Sequence, residues 1–290
     1  MKRDAAAIAV PVMLVVASMA SIQLGAALAK GQMFPMVGPQ GTTALRVALA
    51  ALILLAVRRP WRRPPTRREA GWIALYGAAL GVMNLCFYLA IRTIPLGVAV
   101  ALEFTGPLAV AMIASRRPVH FLWAALAAGG VGLLLPWGEA SRPLDPAGVA
   151  FALAAAACWA LYIVFGKRAG EGGGGRAASL GMAVAALIVV PVGVAHGGTG
   201  LLAPAILPVA LAVAVLSSAL PYSLEMAALA RLPQRTFGVL MILEPALGAV
   251  SGLVLLGERL SLTQCAAVAC IMAASVGAAA TSRGPPPLAG

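Results

Sequence analysis

Charge is scarce in this chain. Asp, Glu, Lys and Arg make up 10% of its 290 residues, against about 25% in an ordinary soluble protein. No segment is long and polar enough to form an independent soluble domain. Histidine occurs only as His120 and His196, near opposite ends of the apolar architecture described below. The four cysteines, Cys86, Cys158, Cys265 and Cys270, lie in apolar runs without metal-ligand spacing. They read as small packing residues, with no disulfide framework and no metal site implied. His-Glu-x-x-His and Gly-x-Ser-x-Gly are absent, and Gly172 to Gly175 lacks the lysine and hydroxyl residue of a phosphate loop. The sequence therefore offers no nucleophile–base pair, no metal cluster and no cofactor motif, and an enzyme is not expected.

What is abundant is apolar sequence, 61% of the chain. Ten runs are each near the length of about 20 residues that a membrane-spanning helix needs. They cover roughly 6–29, 38–57, 71–91, 94–114, 119–137, 147–166, 177–195, 205–228, 236–256 and 261–281. The first is too long for the apolar core of a signal peptide, about 7–15 residues, and is expected to be retained as a span. The third and fourth are parted only by Arg92-Thr93-Ile94-Pro95.

The net charge of +12 does not indicate nucleic-acid binding, because no basic face or stacking motif accompanies it. The basic residues lie in short clusters between apolar runs, as orientation signals do. With the N-terminus cytoplasmic, sixteen of the 21 Lys and Arg residues fall on inner loops and four (Lys30, Arg92, Arg142 and Arg259) on outer ones. Arg46 lies inside the second run. This split predicts ten helices with both termini inside. The proline-rich 285–290 tail is expected to be disordered.

The halves echo each other. Pro95 and Pro107 are spaced by 12, as are Pro233 and Pro245, and Ala50-Ala51-Leu52-Ile53 recurs as Ala185-Ala186-Leu187-Ile188. Five spans per half is an odd number, so the second half enters from the opposite side. The expected fold is an all-α integral membrane protein built from two inverted five-helix repeats, 1–145 and 146–284. Such repeats are a transporter architecture, with the site near the midplane between them.

Four ionisable residues lie within spans: Arg46, Glu103, Glu225 and Glu244. A charge at the centre of a spanning helix costs about 2.5–3.5 kcal/mol even on the lower scales, and such residues mark functional sites by default. Arg46 is suited to a carboxylate-bearing substrate. Burial disfavours the charged form of a carboxylate, so a midspan glutamate is suited to binding a proton or a substrate amine. The plainer alternative is an Arg46–Glu103 ion pair that only locks the first half together. Asn84 and Tyr88 are four apart and share a helical face, as do Tyr222 and Glu225. Ser18, Ser21 and Gly25 form another such face, and Trp159 with Tyr162 a fourth. The aromatic residues serve equally well as packing or interface anchors. Pro107 and Pro245 each remove a backbone hydrogen bond and are candidate hinges. Gly77-x-x-x-Gly81 and Gly248-x-x-x-Gly252 permit close helix approach, within the chain or in a homodimer; such pairs are common and weigh little.

Several stretches carry a more specific likeness. They are Met19 to Gln23, Thr43 to Arg46, Pro95 to Pro107, Ser115 to Pro118, Cys158 to Ala160, Ala219 to Met226 and Glu244 to Leu247. In these residues the chain resembles the drug/metabolite transporter superfamily with two EamA-type domains, and within it the bacterial inner-membrane exporters of threonine and homoserine. That resemblance implies efflux of small hydrophilic amino acids by proton antiport and alternating access. Within that reading, the intramembrane polar residues Arg46, Asn84, Tyr88, Glu103, Tyr222, Glu225 and Glu244 are those expected to meet substrate or proton. The implied partners are an amino acid, a proton and membrane lipid. The residues themselves reach only a multispan carrier with a charged midplane. Transport of another metabolite or drug in either direction, a passive channel and a membrane-embedded enzyme stay open.

Overall fold

The structure is a computed structural model. It describes residues 2–115, 118–134, 144–171, 173–221, 224, 228 and 240–281. Helix dominates, and no strand occurs among the described residues. In chain order the α-helices are α1 (Lys2–Leu28), α2 (Phe34–Arg58), α3 (Arg67–Thr93), α4 (Leu96–Glu103), α5 (Thr105–Ser115) and α6 (Val119–Leu133). They continue with α7 (Pro146–Gly170), α8 (Gly174–Gly197), α9 (Ile206–Ala214), α10 (Glu244–Leu256) and α11 (Leu262–Thr281). Two π-helical turns, Ala29–Met33 and Val215–Ala219, follow α1 and α9.

Local sequence accounts for most boundaries. Thr66 opens α3 with a capping box: its hydroxyl accepts from Glu69 N at 3.3 Å, and Glu69 Oε2 accepts from Thr66 N at 2.7 Å. Asp145 caps α7 through Ala147 N, with Pro146 as the first helical residue. Ile94 is extended and Pro95 is the N-cap of α4, so the predicted break between the third and fourth runs is a tight corner. Between the first two runs the structure differs from the expected loop. The backbone stays helical from α1 through the π turn to Val37, and turns only at Gly38 (φ 67°, ψ 175°) before Pro39. Glycine alone adopts that conformation without a steric cost.

The run 94–114 holds α4 and α5, parted by a kink. Pro107 has no N–H for the carbonyl of Glu103, four residues earlier, and its ring crowds that carbonyl. The irregular residue is accordingly Phe104, between α4 and α5. Pro245 produces the same displacement, with the turn at Ile242 and Leu243 ahead of α10.

The packing is that of helices in lipid. The buried set is rich in alanine, while large apolar side chains point outward: Phe121 is 80% exposed, Leu187 76% and Leu262 90%. Small residues let backbones approach where no hydrophobic force between helices exists. In water such a surface would aggregate; in hydrocarbon it is the solvated face. Among the described residues, four stretches are long and apolar enough to cross a membrane, namely Val10–Arg58, Arg67–Thr93, Pro146–Gly170 and Gly174–Leu202, and shorter apolar helices accompany them. The chain is thus all-helical, with the character of an integral membrane protein.

α2 packs along α8, α6 along α11 and α4 across α10. α3 lies on both α7 and α8, α1 on α10 and the second π turn, α4 on α7, and α2 on α9. The crossing of α4 with α10 is close because Gly97 faces the backbone of Ala249 and Gly248 faces Gly97. Gly77 and Gly81 likewise sit against the α8 backbone at Gly181 and Ala185. Both glycine pairs are therefore used within the chain.

Candidate functional site

A cavity of about 150 Å³ lies between the helices of the two halves. Its charged wall is Arg46 from α2, Glu103 from the end of α4 and Glu244 from the start of α10. Asn84 and Tyr88 contribute from α3, Gln23 from α1, Trp159 from α7 and Ser217 from the second π turn. Five of the seven substrate- or proton-binding residues singled out in the sequence thus meet around one space. Tyr222 and Glu225 lie outside the described residues.

Arg46 is half-buried and held from three sides. Nη1 donates to Asn84 Oδ1 at 2.7 Å, Nη2 donates to the carbonyl of Ser217 at 3.3 Å, and the guanidinium carbon stands 5.4 Å from the centre of the Tyr88 ring. Asn84 is oriented in turn by donating Nδ2 to Leu80 O at 2.8 Å. The Nε of Arg46 is buried without a partner among the described residues. No ion pair joins Arg46 to Glu103 among the described residues, so the simple lock between those two is not what the structure contains.

Glu103 and Glu244 are both buried, at 8% and 6% exposure. Glu244 Oε1 accepts from Gln23 Nε2 at 3.4 Å. Trp159 meets Phe104, the residue at the kink, edge to face at 5.6 Å. Tyr162 turns instead to Tyr76 of α3, the rings 4.8 Å apart. Ser18, Ser21 and Gly25, the predicted face of the first span, pack on the segment after α9. Ser21 Oγ donates to Leu216 O at 2.7 Å and Ser18 Oγ to Pro221 O at 3.3 Å. Pro107 and Pro245 stand beside the site through the kinks at Phe104 and at Ile242–Leu243, not as contacts within it.

Gln23 and Ser217 were not among the expected site residues. Each is uncharged, and single polar residues are unremarkable within apolar runs. The signal that could have found Gln23 is its size: a full amide on an otherwise small-residue helix. Ser217 is reachable only through the π turn, which rotates its carbonyl toward Arg46. Single π turns inside helices often occur at functional sites.

Outside the cavity, Lys30 and Glu258 form an ion pair. Lys30 Nζ also donates to Ile94 O at 3.0 Å, and Glu258 Oε2 accepts from Leu96 N at 2.8 Å. At another corner Arg176 Nη2 donates to Glu69 Oε1 at 2.8 Å, and Nη1 to Arg63 O at 3.1 Å. No group of His, Cys, Asp and Glu able to hold a metal ion occurs among the described residues.

Known proteins are similar to this chain in sequence or in fold. Threonine/homoserine exporter RhtA of Salmonella typhimurium strain SL1344 is 53% identical over 276 residues, spanning 95% of this chain and 93% of that protein. RhtA of Escherichia coli strain K12 is 53% identical over 273 residues, spanning 94% and 92%. A protein crystal structure only 20% identical superposes with a TM-score of 0.54 over 93% of this chain and 98% of that one, which is a likeness of fold. Residues 146–279 match the EamA-like transporter family. The chain belongs to that family, within the drug/metabolite transporter superfamily.

Proposed function

We propose that this protein exports small hydrophilic amino acids, threonine and homoserine foremost, from bacterial cells by proton antiport through alternating access. The observation that carries the reading is the 53% identity, across nearly the whole chain, to proteins named threonine/homoserine exporters. The cavity supports it. At about 150 Å³ it falls well below the roughly 300–1,000 Å³ of drug-sized sites. Its wall offers a guanidinium for a carboxylate and two carboxylates for an ammonium or a proton. Desolvated charges of both signs suit a zwitterion and would be costly for an apolar drug.

The architecture proposed for this activity is ten spans in two inverted repeats, 1–145 and 146–284, both termini cytoplasmic, in the inner membrane. The helix packing supports it. Let α4 with α5 count as the fourth span, and α9 with its π turn as the eighth. A shift of five spans then exchanges most of the packings between the halves, while spans 2 with 3 and 4 with 10 touch without a counterpart among the described residues. Spans 2 with 7, 4 with 9 and 5 with 10 map onto themselves. Spans 3 with 6 map onto 8 with 1, 3 with 7 onto 8 with 2, and 1 with 9 onto 6 with 4. A two-fold relation between halves predicts such closure, and the cavity then lies where the halves meet. The kinks at Phe104 and Ile242–Leu243 are placed to let those spans bend during opening.

The test is transport of labelled threonine and homoserine in proteoliposomes with an imposed pH gradient. Concentrative, ionophore-sensitive transport of either is the expected result. Equilibration without concentration would identify a passive channel, and failure with both substrates in folded, oriented protein would remove the amino-acid assignment.

A further inference from the structure

We propose that Lys30 and Glu258 form the outer gate of the carrier, a latch that is closed while the cavity is shut from outside and that parts to release substrate. The inference rests on the ten-span reading above, which puts this pair on the outer side, and goes beyond it by assigning the element that seals that side.

Three helices that wall the cavity meet again on one side of it. Lys30 follows Gln23 of α1 by seven residues, Leu96 precedes Glu103 of α4 by seven, and Gly252 follows Glu244 of α10 by eight. At about 1.5 Å of rise per residue, all three stand about 10–12 Å from the cavity along their helices. In the proposed topology α1 and α10 run outward and α4 runs inward, so the three positions share the outer side. Glu258 reaches this level because the chain reverses at Gly257 (φ 67°), and its N–H donates to Gly252 O at 3.0 Å. Gly252 also leaves space for the Glu258 carboxylate, since a Cβ there would collide with Oε2. Between the cavity and this cluster, Ala26 and Ala27 of α1 and residues 98–102 of α4 are buried in one apolar core. Gly97 of α4 meets the Ala249 backbone of α10 in the same interval. Packing thus shuts that side of the cavity, with the ion pair at its outer edge.

The cluster joins the two halves. Lys30 Nζ meets the Glu258 carboxylate and donates to Ile94 O at 3.0 Å, while Glu258 Oε2 accepts from Leu96 N at 2.8 Å. Leu96 is the first residue of α4, and an N–H at that position has no partner within its own helix. One carboxylate therefore caps α4 and holds Lys30 at the same time. Moving the second half away from the first on this side must part the pair. The same chemistry makes the contact reversible. Lys30 and Glu258 keep 18% and 15% of their side-chain surface exposed, so opening exchanges the ion pair for two hydrated charges and strands neither in hydrocarbon. An apolar seam of the same size would instead expose its surface to water each time it opened.

The test uses proteoliposomes of known orientation. Exchange of labelled threonine at the outer face for unlabelled threonine within reads the opening of that side, and accumulation driven by a pH gradient reads its sealing. Glu258→Gln keeps the shape of the side chain and an acceptor for Leu96 N, but removes the charge that holds Lys30. It should speed exchange and lower accumulation, each by at least about fivefold, the lower end of the usual coupling between sites. Lys30→Met should do the same. Parallel loss of both activities would overturn the inference by making the pair structural only, and unchanged values would overturn it by making the pair silent. Exchange that quickens only at the opposite face would overturn the outer assignment. Transport of neither threonine nor homoserine by the wild type would mean that the functional reading itself has failed. If Lys30→Met does not accumulate in the membrane, Glu258→Gln decides the matter.

Discussion

Arg46 donates to Asn84 across 2.7 Å and so ties α2 to α3 inside the cavity. The guanidinium is also bonded to the Ser217 carbonyl and backed by the Tyr88 ring. A group held in this way presents its remaining N–H in a fixed direction. Lysine has the charge but not the planar fork. Arg46→Lys should accumulate normally and lose at least about tenfold in threonine transport, the size of one charge-assisted hydrogen bond of about 1.5–3 kcal/mol. Asn84→Ala should reproduce part of the loss. Normal transport by Arg46→Lys in proteoliposomes would remove any need for the fork.

Glu103→Gln keeps the shape of the side chain and deletes its ability to exchange a proton. The variant should insert and accumulate, yet lose accumulation driven by a pH gradient by a factor within the usual coupling range of about 5–150. Transport measured at a series of external pH values checks this. Normal efflux with normal pH dependence would exclude Glu103 from the coupling.

Lys30 and Glu258 pair across the chain and also bond the corner between α3 and α4. Three connections share one cluster, so the two charges should not act independently. Lys30→Ala and Glu258→Ala should each lower the melting temperature in detergent. The double variant should be less destabilised than their sum, with an interaction energy of about 0.5–3 kcal/mol. Strict additivity in that cycle would show the pair to be energetically silent.

Glu69 lies in the first turn of α3, ahead of the apolar run 71–91, and its carboxyl is held below the usual carboxylate range. The largest cause is the Thr66 backbone N–H, followed by the Thr66 hydroxyl, with the Arg176 guanidinium adding to both. A folded-state value below the unfolded one means that the stabilisation is complete above the ordinary value of 4.5. It is lost as the pH falls through the folded-state value. Thermal melts in detergent from neutral to acid pH should show the wild type losing stability below about pH 4.5, and Glu69→Gln losing less. Identical slopes for the two proteins would contradict this.

The sequence by itself determined where the helices lie and which charges are costly. Ten apolar runs with basic clusters at alternate junctions leave little alternative to helices in a membrane, where a helix satisfies its own backbone. Glu103, Glu244 and Arg46 were legible for the same reason: a charge inside an apolar run has a free-energy cost that needs an explanation. Pro107 and Pro245 announced kinks, though the kink falls at the carbonyl the proline abandons and not at the proline.

Tertiary structure decided the pairings. The sequence left Arg46 free to pair with Glu103, and only the packing of α2 on α3 and the π turn assigned it to Asn84 and Ser217. Gln23 and Ser217 carry no charge and cost little as single residues, so nothing in their spacing marked them. Only the packing of α1 against the π turn and α10 brought both residues into the wall of one cavity. Lys30 counted in the sequence only as an outer charge, and its partner stands 228 residues away. Hydropathy is a local property written along the chain, whereas a hydrogen bond between distant helices depends on their rotation and depth, which packing alone sets.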